Sequence, residues 1–445
     1  MRFVVAGLVA VVLALGGVHA HNQTPTPTQT APEYDFLVKG GHVIDPKNSL
    51  NAVRDVAIKD GRIAAVGQNI PASRALKAVD ASGLLVTPGL VDIHVHAFFG
   101  EKNEDYASGG WSIDPDSFAL RSCVTTITDA GSSGWRNFES FKDRIIDRSK
   151  TRVTVFLNVV GAGMGAGPIE QNVQDMEVKP AADMALEHKG IIVGIKSAHY
   201  NGKDWIPYER AEEIARQANI PVMVDFGGNV RAGRTLQGLF TQYFRAGDIY
   251  THMYGGVRGE QDPDSRGPSQ AMIEGRKRGI LFDVGHGGAS FRYSAAVPMM
   301  KAGFVPDSLS TDLHTSSMNA SMKDMLNLMG KFLAMGMSLE DVILRSTWNP
   351  AKTIRLQDLG HLSVGAPADV SVIRLEKGNF GFADPVGGLI RASQRLQCEL
   401  TVRDGKVVYD LNGLIAEPWE TLPPGTRGGD PRWDFTRGHG RQPRG

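Results

Sequence analysis

Residues 86–96 read Val-Thr-Pro-Gly-Leu-Val-Asp-Ile-His-Val-His. An apolar run of this kind reads as a buried strand. Its last histidines, His94 and His96, stand two apart and so point to the same side. Two imidazoles side by side at the inner end of a strand make half of a metal site. A His-x-His pair can also be an accident of a half-buried strand. Here the run would bury both rings, and buried imidazoles require partners, so metal ligation is the reading carried outward.

Downstream of this strand, apolar strand-like runs recur at intervals of roughly 30 residues, the length of one strand, one helix and two loops. Counting the first, they are Leu90 to His96, Val124 to Asp129, Val153 to Val160, Ile191 to Lys196, Val222 to Asp225, Ile249 to His252, Ile280 to Val284 and Ser308 to Asp312. Helical patterns fill the gaps. The clearest, Pro207 to Ala218, sets Ala211, Ile214, Ala215 and Ala218 on one face, with Pro207 at the first helical position and Asn219 at the exit. A second, Ser321 to Ala334, spaces Met322, Met325, Leu326, Met329, Phe332 and Leu333 as core packing. Alternating strand and helix units in this number mean a (β/α)8 barrel, whose chemistry lies at the C-terminal ends of its strands.

Upstream, residues 34–85 show short strands and turns instead of helices. Asp60-Gly61 between two apolar runs is a hairpin signal, and Asp404-Gly405 repeats it near the other end. The inferred partner of the barrel is a small β-sandwich built from both termini. The expected division is a signal peptide at 1–20, a linker at 21–33, β-sandwich at 34–85, barrel at 86–356, β-sandwich again at 357–422 and a disordered tail at 423–445.

Composition narrows the class. The chain has 445 residues, and Lys plus Arg equal Asp plus Glu at 48 each. Nothing in that balance argues for a nucleic acid or an anionic membrane surface as partner. Met1-Arg2, the apolar run Phe3 to Gly17 and Val18-His19-Ala20 read as a secretory signal peptide cleaved after Ala20, which implies a periplasmic or secreted protein. An uncleaved anchor is the weaker reading, because the run is short for a membrane span and a polar Pro/Thr-rich linker follows at once. Cys123 and Cys398 are the two cysteines. Export would permit a disulfide, but their placement in different domains favours two buried free thiols. After Gly425 the tail carries five Arg against two Asp, a solvated segment by composition.

The string Pro88-Gly-Leu-Val-Asp-Ile-His-Val-His96 resembles the first barrel strand of the amidohydrolase superfamily of metal-dependent hydrolases. The likeness spans roughly residues 34–420 by element spacing. Thr125 to Ser132, Thr251-His252-Met253-Tyr254 and Ser310-Thr311-Asp312-Leu313-His314 look most like its dihydroorotase-like amidohydrolase/deacetylase branch. The remaining strand ends take on meaning against that resemblance. Lys196 closes the fourth strand; it is either a structural ion paired with nearby carboxylates or, as the resemblance implies, carboxylated by carbon dioxide into an N6-carboxylysine bridging two metals. Asp225 closes the fifth strand where the two-metal pattern has histidine. It would be an oxygen ligand to the second metal, or an aspartate that salt-bridges Lys196 or Arg231. His252 supplies the sixth strand's ligand. Asp312 closes the eighth, and in the superfamily this aspartate ligates the first metal and takes the proton from the attacking water, work a carboxylate suits. A helix N-cap role for Asp312 is the weaker alternative.

The expectation is therefore an exported hydrolase using one or two divalent ions, zinc first, to cut a small amide or acyl ester of the N-acyl amino acid type. Asp312 is the catalytic residue, and His94, His96, Lys196, Asp225, His252 and Asp312 are the metal ligands. His199, Tyr200, Tyr254 and His286 are the candidates for holding substrate, with a structural role open for His286. Two alternatives stand beside it: ring opening of a dihydroorotate-like or hydantoin-like cyclic amide, and a barrel that only binds a solute. A small-molecule substrate is the expected partner, with a homo-oligomer by fold-level analogy alone.

Overall fold

The computed structural model describes residues 32–100, 111–165, 168–227 and 233–425. The expected signal peptide, most of the linker, Arg231 and the tail from residue 426 lie outside them. No helix among the described residues is long and apolar enough to cross a membrane.

Five strands come first: β1 (Tyr34–Asp45), β2 (Leu50–Lys59), β3 (Arg62–Gly67), β4 (Ala75–Asp80) and β5 (Leu85–Pro88). The barrel strands follow as β6 (Leu90–Val95), β7 (Val124–Gly134), β8 (Arg152–Asn158), β9 (Ile192–Ser197), β10 (Val222–Val224), β11 (Ile249–Tyr250) and β12 (Leu281–Phe282). The chain then returns through β13 (Val370–Ala383), β14 (Leu389–Arg403) and β15 (Lys406–Asp410).

Strands from the two ends of the chain form one eight-stranded sheet in the order β15-β14-β13-β5-β1-β2-β3, with β4 alongside β1. β5 is the join, parallel to β1 and antiparallel to β13. The boundary expected at residue 86 therefore falls inside a strand, and the barrel begins at Leu90. Alternation explains the sheet's two faces. In β1, Phe36 and Val38 join Val56, Val370, Leu400 and Val402 in one core, while Leu37 packs oppositely with Ala57 and Ile70. Both expected hairpins form. Asp60 and Gly61 have φ 49° and 73°, Asp404 and Gly405 φ 47° and 75°, the left-handed pair that a two-residue turn needs. The turns abut, and a Cβ on Gly405 would stand 2.7 Å from the Gly61 Cα.

Strands β6 to β12 run as a seven-stranded parallel sheet in sequence order. Residues 308–313 close the circuit. On one side Val284 and His286 donate their N–H groups to the Ser308 and Ser310 carbonyls, and on the other His96 donates to Leu313 and Leu313 to His94. This eighth stretch makes bridges, not a regular strand. The Ser308 and Ser310 hydroxyls turn to Asp283, and Asp312 takes φ 50°, which breaks the ladder. Helices cover the outside. Ile206–Ala218 buries Ala211, Ile214, Ala215 and Ala218 and exits at Asn219 with φ 53°, as its spacing indicates. The methionine-rich helix starts at Met325, later than expected, because the Asp324 side chain caps it by accepting from the Asn327 N–H at 2.8 Å.

One expectation is overturned outright. Cys123 and Cys398 are bonded to each other, with Cα atoms 5.6 Å apart across 275 residues. Cys123 sits at the start of β7, at the barrel end that the terminal sheet covers. Ser371 Oγ donates to the Cys123 carbonyl at 2.8 Å and Thr401 Oγ1 to the Leu120 carbonyl at 2.7 Å, which brings β14 and Cys398 across it.

Candidate active site

The C-terminal ends of the barrel strands surround a cavity of about 380 Å³ whose lining includes His94, His96, Lys196, His199, Asp225, His252 and Asp312. Six of these are the residues expected from the sequence as ligands, and His199 is one of the four expected at the substrate.

Each imidazole is aimed by the nitrogen it turns away from the cavity. Asp283, buried in the barrel wall, accepts from Thr251 Oγ1 at 2.7 Å, so that hydroxyl is free to accept from His94 Nδ1, 3.0 Å away. His94 Nε2 is left facing the cavity as an acceptor. His252 Nδ1 lies 2.6 Å from the Gly285 carbonyl, which can only accept, so its Nε2 also faces inward unprotonated when the ring is neutral. His96 Nδ1 bonds Ser132 Oγ at 3.0 Å. Burial first, and Lys196 second, push His94 down to about 3, so it is neutral at physiological pH. Asp312 Oδ1 stands 3.2 Å from His96 Nε2 and 3.6 Å from His94 Nε2. Burial would raise its carboxyl, but the surrounding imidazoles outweigh burial and hold it well below the usual carboxylate range. Ligand atoms of His94, His252 and Asp312 all lie within 4.8 Å of one another. Imidazoles with fixed outer partners, converging on an ionised carboxylate, are a donor set that fits a divalent cation.

Lys196 enters over Gly131, where a Cβ would meet its Cγ at 2.7 Å. Its Nζ bonds His94 Nε2 at 3.1 Å and approaches Met223 Sδ at 3.9 Å. Among the described residues no carboxylate comes within ion-pairing distance, and burial pulls its ammonium pKa down. The structural ion pair expected as one alternative is therefore not formed. Asp225 makes no ion pair with Lys196 either, and its other expected partner, Arg231, lies outside the described residues. Oδ1 accepts from Arg258 Nη2 at 3.1 Å and from the Gly227 N–H at 2.9 Å, while Oδ2 faces His199 Nε2 at 2.9 Å and His252 Nε2 at 3.3 Å. His199 is held on its other side by Glu170, 3.1 Å from Nδ1. Burial opposes its charge, yet Asp225 and Glu170 together push it up to about 10.

Three expected substrate residues lie elsewhere. Tyr254 is fully buried, donating to the Phe304 carbonyl at 2.9 Å, because His252 at φ 62° breaks the alternation that would have turned Tyr254 inward. Tyr200 donates to Asp204 Oδ2 at 2.9 Å, outside the cavity lining. His286 is stacked on Phe291 and accepts from Lys331 Nζ at 2.7 Å. Gly285 and Gly287, with φ 47° and 52°, flank it and turn it outward. Gly287 also clears space beside the carboxylate, since a Cβ there would stand 2.2 Å from Asp312 Oδ2. In place of these three, Trp111, Met164, Ser290, Ser316 and His314 line the cavity. His314 Nδ1 accepts from Ser316 Oγ at 2.8 Å as part of a helix cap. Arg258, Trp111, Met164 and Ser290 sit on loops, and Glu170, His314 and Ser316 in or beside short helical turns, so they escape a sequence reading because their side-chain direction follows no strand period. Thr251 and Asp283 directly follow β11 and β12, and their polar side chains at the ends of apolar runs are the available signal.

Comparison with known proteins accords with this geometry. A profile described as the Amidohydrolase family matches residues 292–408, a span that takes in Asp312. A deacetylase of Brucella anthropi is 32% identical over 352 residues, covering 77% of this chain and 85% of that protein. The chain belongs to the amidohydrolase family. Among solved structures, the amidohydrolase superposes on an adenine deaminase with TM-score 0.77 and 27% identity, covering 85% of this chain and 100% of that one. It also superposes on a dihydroorotase with TM-score 0.73 and 29% identity, covering 84% and 99%. It stands in the dihydroorotase-like branch and is a hydrolase acting on carbon–nitrogen bonds.

Proposed function

We propose that this amidohydrolase is a metal-dependent deacylase of small amides, with N-acyl amino acids as the substrate class. The observation that carries the reading is the placement of Asp312, ionised and within 3.6 Å of two inward-facing imidazoles at a cavity of about 380 Å³, a size for a small molecule. His94, His96, His252 and Asp312 would hold the cation. A divalent ion of the zinc type held there would supply Lewis acidity for polarising the scissile carbonyl and activating water. Asp312 accepts the proton of the attacking water and returns it to the leaving nitrogen as the carbon–nitrogen bond breaks. Gly287, lacking a side chain, lets the carboxylate lie close against its backbone. Burial draws Lys196 toward the neutral amine, the form that would add carbon dioxide to give a carboxylysine. The similarity to a dihydroorotase favours ring opening of a cyclic amide as the second reading.

Export is part of the same proposal. The Arg-led apolar segment with its small-residue end supports it, and so does the Cys123–Cys398 disulfide, a bond that persists in oxidising compartments.

The test is hydrolysis of a panel of N-acetyl amino acids, with dihydroorotate beside them, by zinc-loaded full chain. Acetate release from the panel that stops when a chelator is added supports the deacylase. Preferred opening of dihydroorotate supports the second reading, and turnover that survives complete metal removal sinks both. Asp312→Asn is expected to lower kcat by roughly 10²–10⁴-fold, the usual contribution of a positioned general base.

A further inference from the structure

We infer that the site takes a single divalent cation, and that Asp225 is not a ligand but an anion fixed between Arg258 and His199 at the wall where a second cation would sit. This rests on the metal-dependent reading above.

The donors gather at one point. His94, His252 and Asp312 group together, and His96 joins through Asp312. Asp225 lies outside that group and, among the described residues, meets it through His252. Both of its oxygens are already engaged: Oδ1 by the Arg258 guanidinium and the Gly227 N–H, Oδ2 by the His199 ring.

Arg258 is buried and fixed in place. Arg258 Nε donates to the Gly227 carbonyl, and its backbone N–H donates to Glu260 Oε2 at 2.7 Å. Glu260 is fully buried and accepts from Tyr250 Oη at 3.1 Å. His199 is pinned from behind by Glu170, which is also buried. A cation on Asp225 Oδ2 would have to crowd the His199 N–H and stand beside a guanidinium it cannot displace. Like charges in a low-dielectric wall repel strongly, and a buried carboxylate already paired with a fixed guanidinium has less need of a further cation. The chain Glu170–His199–Asp225–Arg258–Glu260 thus makes that wall a closed electrostatic unit.

Elemental analysis decides the matter on full chain purified with excess zinc and bicarbonate and freed of loose metal by gel filtration. One zinc per chain is expected in the parent and again in Asp225→Asn. Two per chain in the parent, or loss of the zinc from folded Asp225→Asn, overturns the inference. No zinc in the parent overturns the metal-dependent reading instead. The parent count needs no variant, so an unfolded Asp225→Asn would leave the question decided.

Discussion

Thr251 stands one bond away from the chemistry, yet it sets the direction of His94. Its hydroxyl is the link between a buried carboxylate and the ring, and valine, of the same shape, would cut that link. Thr251→Val is expected to weaken zinc binding by roughly 10–100-fold, the usual effect of losing an outer partner of a ligand histidine. Competition with a chelating dye measures this, and an unchanged affinity would mean that packing alone aims the ring. The same scale shows what a sequence can reveal of a site. His94, His96 and Lys196 are legible because alternation along β6 and β9 fixes their direction, and His252 and Asp312, both left-handed, are legible from their place at the ends of the sixth and eighth apolar runs. Tyr254 and His286 are misplaced by that rule because the chain just before them turns left-handed, at His252 and Gly285, and past such a residue alternation carries no information.

Among elements, the long β13–β14 hairpin does more than extend the terminal sheet. Its turn region reaches the barrel, where Tyr293 Oη donates to the Phe382 carbonyl at 3.0 Å and Lys331 Nζ donates to the Ala383 carbonyl at 2.8 Å and to His286. Phe382 lies against Gly330, where a Cβ would meet its ring at 2.6 Å. At the opposite end of the barrel the Cys123–Cys398 bond ties β14 to the start of β7. Constraining so long a loop restricts the unfolded chain, so the double variant Cys123→Ala/Cys398→Ala is expected to lose about 2–4 kcal/mol of stability. Calorimetry of parent and variant, with and without reductant, checks it. Reductant should bring the parent to the variant's melting temperature and leave the variant unmoved; equal values without reductant would contradict the bond's contribution. The strand and helix plan is legible because periods of two and of 3.6 are local properties. This bond is not, because nothing local records what lies beside a residue 275 positions away.

For the molecule as a whole, stability in acid reports on the buried polar groups. Burial first, and the neighbouring Lys331 second, push His286 down to about 3. Below about pH 6.5 the unfolded chain takes up a proton that the folded one refuses, so stability falls as pH drops from there toward 3, at up to about 1.4 kcal/mol per pH unit for the one group. His286→Gln keeps an acceptor for Lys331 and removes the titration. Its melting temperature is expected to fall less steeply than the parent's between about pH 6 and 4, and parallel curves would count against a neutral His286. The comparison cancels Asp92, which burial pushes up to about 7 and whose effect on stability runs the other way.

The pairing of β5 with both β1 and β13 has a consequence in time. β1 and β5 leave the ribosome early, but β13 follows only after the whole barrel has been made, so one edge of the young sheet stays unpaired throughout synthesis. An open apolar edge of that kind invites pairing with other chains, and contacts so distant in sequence form late. Nascent chains stalled before residue 370 should therefore aggregate, and a chaperone that shields strand edges should raise the yield of complete protein more than one that assists helices.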